Sequence, residues 1–147
     1  MSISDLRQKA DSGDLVAQTA LGICCLEGVD TAVDYTEALR WLSAAADHRI
    51  PRAMANLGRM YAEGLGVPKN IVEAIRLFEG AAQAGEFLAQ MELGRIYSRG
   101  LGVARDPDAA LRWYSAAVAQ QANVTDCEEL IKEAEAYMRG GKSTIQT

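Results

Sequence analysis

Apolar positions in this chain recur at spacings of three and four, in stretches of about a dozen residues separated by glycine-rich breaks. In one stretch Ala53, Leu57, Gly58 and Tyr61 fall at these spacings, and in the next Ala74, Leu77, Phe78, Ala81 and Ala82 do. Each set draws one stripe along one side of a helix. The break between them, Gly64-Leu65-Gly66-Val67-Pro68, is echoed by Gly100-Leu101-Gly102-Val103. Glycine supplies the left-handed stop of the first helix. Asn70 and Asp106 then offer N-caps, Pro107 suits a first helical position, and Asp34 with Glu37 and Asn70 with Glu73 have the spacing of capping boxes. The pattern predicts helical hairpins closed by short turns.

The hairpin repeats. Segments starting at Ala17, Ala53 and Ala89 align on a period of thirty-six residues, and seven columns hold one residue type in all three copies: the alanines themselves, Leu21/Leu57/Leu93, Gly22/Gly58/Gly94, Gly28/Gly64/Gly100, Ala38/Ala74/Ala110, Arg40/Arg76/Arg112 and Ala45/Ala81/Ala117. A period in this range is the signature of stacked supersecondary units. The small columns imply close helix approach, with the large Leu42/Phe78/Tyr114 column filling the groove opposite. The first copy reads Gly28-Val29-Asp30-Thr31 and lacks the second glycine, so its connection is expected to differ in shape.

The ends fit the same scheme. Residues 4–13 align with the second half of a repeat, giving a half-repeat ahead of repeats 17–52, 53–88 and 89–124. The capping box Thr125-Asp126-Cys127-Glu128 then opens an expected terminal helix over 125–139, which closes a single domain of residues 1–139, and 140–147 reads as a flexible tail.

The run A-x-x-x-L-G-R-x-Y-x-x-G-L-G-V in the second and third copies, followed by A-x-R-[LW] and A-A, resembles the Sel-one-like repeat family, relatives of the tetratricopeptide repeats. The likeness covers about residues 1–124. It implies an all-α fold, a right-handed superhelix of antiparallel helix pairs, that binds other proteins as an adaptor or scaffold.

Composition narrows the function. An apolar fraction of 49% with only 6% aromatic suits an alanine-rich helical core of one domain. No apolar run is long enough to span a bilayer, and Asp5, Arg7, Lys9 and Asp11 occupy the place where a signal peptide needs its apolar core, so no membrane association and a cytoplasmic location are expected. Cys24 and Cys25 are neighbours and Cys127 is remote, so no disulfide framework is visible; Cys25, in the column of Tyr61 and Tyr97, reads as a buried small hydrophobe. The one histidine, His48, has no triad or metal-site company, and the Gly-Leu-Gly-Val loops lack the Gly-Lys-Ser/Thr of a phosphate loop. No catalytic, cofactor-binding or metal-binding residue is therefore assigned, and the chain is expected not to be an enzyme. A net charge of -5 opposes nucleic-acid binding.

By resemblance to tetratricopeptide repeats, the first helix of each repeat lines a concave groove. The groove residues are then Ile23 and Leu26 in the first copy, Arg52, Asn56, Arg59 and Glu63 in the second, and Met91, Glu92, Arg95 and Arg99 in the third. Such a groove, apolar at one end and arginine-rich beyond, suits a partner segment with apolar and acidic residues. Arg40, Arg76 and Arg112 follow Glu37, Glu73 and Asp108 by three or four residues, and intrahelical pairing accounts for them. The expected function is a protein-binding adaptor. An inhibitor or immunity protein that captures a toxin or effector is the alternative, and a hydrolase on this scaffold ranks behind both. Val16, Ile23 and Leu26 form an apolar patch that would admit weak self-association, so a monomer or weak homodimer is expected.

Overall fold

The computed structural model describes residues 1–120 and Lys132. The described chain is seven α-helices and no strand: α1 (Ile3–Asp11), α2 (Leu15–Glu27), α3 (Tyr35–Asp47), α4 (Pro51–Glu63), α5 (Ile71–Gln83), α6 (Phe87–Arg99) and α7 (Pro107–Gln120). Apart from Lys132, the expected terminal helix 125–139 and the tail 140–147 lie outside the described residues. The first helices begin two residues before the alanine that opens each copy.

Capping explains the boundaries. Asp14, Asp34 and Asn70 each accept a hydrogen bond from a backbone N–H in the first turn of α2, α3 and α5, and Asp106 does the same for Ala109 at the start of α7. Ser2 and Asp5 form a reciprocal capping box on α1. At the other end, Gly28 and Gly64 close α2 and α4 in the left-handed conformation.

The connection in the first copy does not differ in shape. Asp30, in the column of Gly66 and Gly102, takes the same left-handed backbone at φ 57, against 72 and 75 for the two glycines. The turns are bonded alike as well: the N–H of Asp34, Asn70 and Asp106 donates to the carbonyl of Cys25, Tyr61 and Tyr97 at 2.8, 2.9 and 3.0 Å. Aspartate is among the few residues that tolerate this region, which is why the turn survives without its glycine.

The chain divides into two compact units, residues 1–86 and residues from Phe87 onward. In the first unit α2 packs against α1, α3 and α4, and α4 packs against α3 and α5. Its core holds Leu21, Cys25, Leu42, Met60 and Phe78, all fully buried. In the second unit α6 packs against α7 around Leu93, Ile96, Ala110 and Tyr114. The small-against-large rule holds inside each repeat. A Cβ on Gly22 would meet Leu42 Cγ at 2.7 Å, one on Gly58 would meet Phe78 Cε1 at 2.9 Å, and the Tyr114 ring fills the place of a Gly94 side chain.

Candidate functional site

In the first unit, the residues assigned to partner binding separate into core and surface. Leu26 keeps only 4% of its surface and Asn56 only 6%, so neither presents itself to a partner. Their burial follows from packing: α2 is enclosed by three helices, and its apolar stripe is wider than that of an isolated hairpin. Asn56 satisfies itself locally, its Nδ2 donating to the Arg52 carbonyl at 2.9 Å. Ile23 is half-buried, whereas Arg52 and Glu63 are exposed.

Arg59 joins the two first helices of this unit. From α4 its Nη1 lies 3.5 Å from Glu27 Oε1 on α2, while its Nε lies 3.6 Å from Glu63 Oε2 one turn on. A guanidinium between two carboxylates thus marks the surface on which α2 and α4 lie side by side. The contacts are long and the groups well solvated, so each is an exchangeable surface pair worth about 1 kcal/mol or less.

In the second unit, Met91 is half-buried and packs against the Ala110 and Tyr114 cluster. Glu92 and Arg95 form an ion pair one turn apart on α6, and Arg99 is exposed in its last turn. The arginines expected to meet an acidic partner, Arg59 and Arg95, therefore already hold carboxylates of their own chain.

The repeated arginines of the second helices behave unequally. Arg76 grips Glu73 through two hydrogen bonds of 3.0 and 2.5 Å, as the spacing predicts, and this holds the Glu73 carboxyl below its ordinary range. Arg40 does not take Glu37. Its guanidinium stacks over the Trp41 ring, 4.7 Å from the centroid. Glu37 is claimed instead by Arg7 from α1, thirty residues away, and accepts the Trp41 indole N–H at 3.4 Å. The Arg7 hydrogen bond, helped by the indole, depresses the Glu37 carboxyl. Burial, then the Glu37 charge, pushes the Cys25 thiol up to about 11. So Cys25 is a neutral, fully buried side chain, poorly suited to nucleophilic work. No sequence signal links Arg7 to Glu37, because the pairing depends on how the half-repeat docks.

His48 is exposed at the C-cap of α3. Among the described residues no three His, Cys, Asp or Glu side chains gather as metal ligands would, and no helix is long and apolar enough to cross a membrane.

Comparison with known proteins accounts for this architecture. A family model described as the Sel1 repeat matches residues 15–49, 51–86 and 88–121. The crystal structure of a Sel1 repeat protein from Oxalobacter formigenes is similar at 42% identity and a TM-score of 0.73, over 88% of this chain and 96% of that one. The structure of c5321, a protective antigen present in uropathogenic Escherichia coli strains and displaying an SLR fold, is similar at 35% identity and a TM-score of 0.75, over 82% of this chain and 26% of that one. No curated protein matches. With three repeats matched across most of its length, and helix pairs packed as the SLR fold requires, the chain belongs to the Sel1 repeat family.

Proposed function

We propose that this chain is an adaptor that docks a partner protein on the exposed faces of its first helices. Sel1 repeat proteins are generally protein-interaction modules, and the scaffold is typically non-enzymatic. The observation that carries the reading here is Arg59, which reaches from α4 to Glu27 on α2 and to Glu63 one turn on, with Arg52 exposed two turns back on the same helix. A partner carboxylate has only to displace Glu27 or Glu63 from a solvated pair, an exchange that costs little. Ile23, half-buried one turn before Glu27 on α2, supplies apolar contact. On the second unit Arg95 and Arg99 offer the same chemistry to an acidic partner segment.

The test is a double charge reversal, Arg59→Glu with Arg95→Glu. Affinity capture from native lysate, run with the wild-type chain and the variant in parallel, followed by calorimetry on the captured partner, should show binding at least about tenfold weaker in the variant, as for loss of one charge-assisted contact. Circular dichroism should keep the wild-type helicity. Full affinity in a folded double variant would move the interface elsewhere.

A further inference from the structure

The α3–α4 turn reads His48-Arg49-Ile50-Pro51-Arg52, three basic side chains in five residues of a chain whose net charge is -5. All three are exposed. Elsewhere in this unit Arg7 is bound to Glu37, Arg59 to Glu27 and Glu63, and Arg76 to Glu73. His48, Arg49 and Arg52 take part in no ion pair among the described residues; the adjoining acid is Asp47, exposed at the end of α3.

Arg49 is also out of place conformationally. It has φ 58 in the column that Gly13 and Gly85 fill at φ 96 and 90. A left-handed backbone disfavours a long side chain, so the turn keeps an arginine where glycine would be comfortable. The side chain is directed toward α5: Met54 Cε fills the place of a Gly80 side chain, at 2.5 Å from where its Cβ would stand, and Arg49 Nη2 lies beside it at 3.6 Å from the same point. A guanidinium resting against α5 has less freedom to lose on making a contact.

We propose that the turn His48–Arg52 is a second docking surface, centred on Arg49 and meeting the Arg59 face at Arg52, that takes an acidic segment of a partner protein. Charge complementarity selects the partner: clustered cations without internal carboxylates gain most from glutamate or aspartate side chains. Nucleic acid fits less well, because two arginines and a histidine must work against the negative field of the whole chain.

The probe is a fluorescein-labelled octaglutamate peptide, followed by anisotropy at low salt. Arg49→Gly removes the charge at a position whose backbone suits glycine, so it should melt at or near the wild-type temperature, and Arg49→Asn serves as a second variant that also tolerates the conformation. The expected result is saturable binding by the wild-type chain, weakened at least about tenfold in either Arg49 variant and no more than about twofold in Arg112→Gln, as for loss of one charge-assisted pair. The proposal is overturned by no binding, by equal binding in the Arg49 variants, by equal weakening in Arg112→Gln, or by tighter binding of an eight-nucleotide single-stranded DNA. Arg49→Gly leaves Arg59 and Arg95 intact, so its outcome is read independently of the first-helix reading.

Discussion

Asp30 shows how one side chain can conceal a structural equivalence. It stands where the other copies have Gly66 and Gly102, and it holds the same left-handed backbone. Strain of this kind is relieved by glycine, at a smaller cost in the entropy of the unfolded chain. Asp30→Gly is therefore expected to stabilise the fold by about 0.5 kcal/mol, a rise of about 1–2 °C in melting temperature for a chain of this size. A lower melting temperature would show that the aspartate side chain contributes something the backbone geometry does not reveal. Leu26 and Asn56 teach a related lesson, since the resemblance to tetratricopeptide repeats assigned them to a groove, whereas neighbouring helices leave them 4% and 6% exposed.

At the scale of the helices, hairpin closeness rests on Gly22, Gly58 and Gly94, each facing one large side chain of its own repeat. Gly58→Leu forces a branched side chain into the space of Phe78 and should cost about 1–3 kcal/mol, seen as a drop of several degrees in a thermal melt. An unchanged melt would contradict the close α4–α5 approach. The docking of α1 is electrostatic as well as apolar, because Arg7 binds Glu37, which also accepts the Trp41 indole N–H. Glu37 has a folded-state pKa below its ordinary 4.5, so the pair's contribution is present above that value and is lost as pH falls through the depressed one. Arg7→Met should accordingly be less stable than wild type at pH 7, by about 1 kcal/mol at most given the solvent access of the arginine. The gap should close as the melts are taken below pH 4.5 toward pH 3. A gap that stays constant over that range would remove Glu37 from the account.

For the molecule as a whole, the periodic signal was legible because the same packing problem is solved three times: a glycine under a large side chain, a glycine stop, and a short polar cap, each at fixed offsets. Among the described residues, the helix pairs, the turn positions and the caps Asp34, Asn70 and Asp106 follow from that regularity. What breaks the period was harder to read. The Arg7–Glu37 contact joins a half-repeat to a full one, and the Arg59–Glu27 contact joins adjacent copies, so neither has a counterpart inside a single hairpin. The proposed partner face was legible only as a set of columns: the Arg59–Glu63 and Arg95–Glu92 pairs lie within one helix, but Glu27, which also meets Arg59, comes from the repeat before.

The two units each carry one of the chain's two tryptophans, Trp41 in the first and Trp113 in the second. Trp41 is 5% exposed, wedged between the Glu37 carboxylate and the Arg40 guanidinium, while Trp113 is only half-buried. Nature has thus installed a separate lamp in each half. With either indole replaced by phenylalanine, the remaining emission reports the melting of its own half, and the order in which the halves come apart can be watched without attaching a dye.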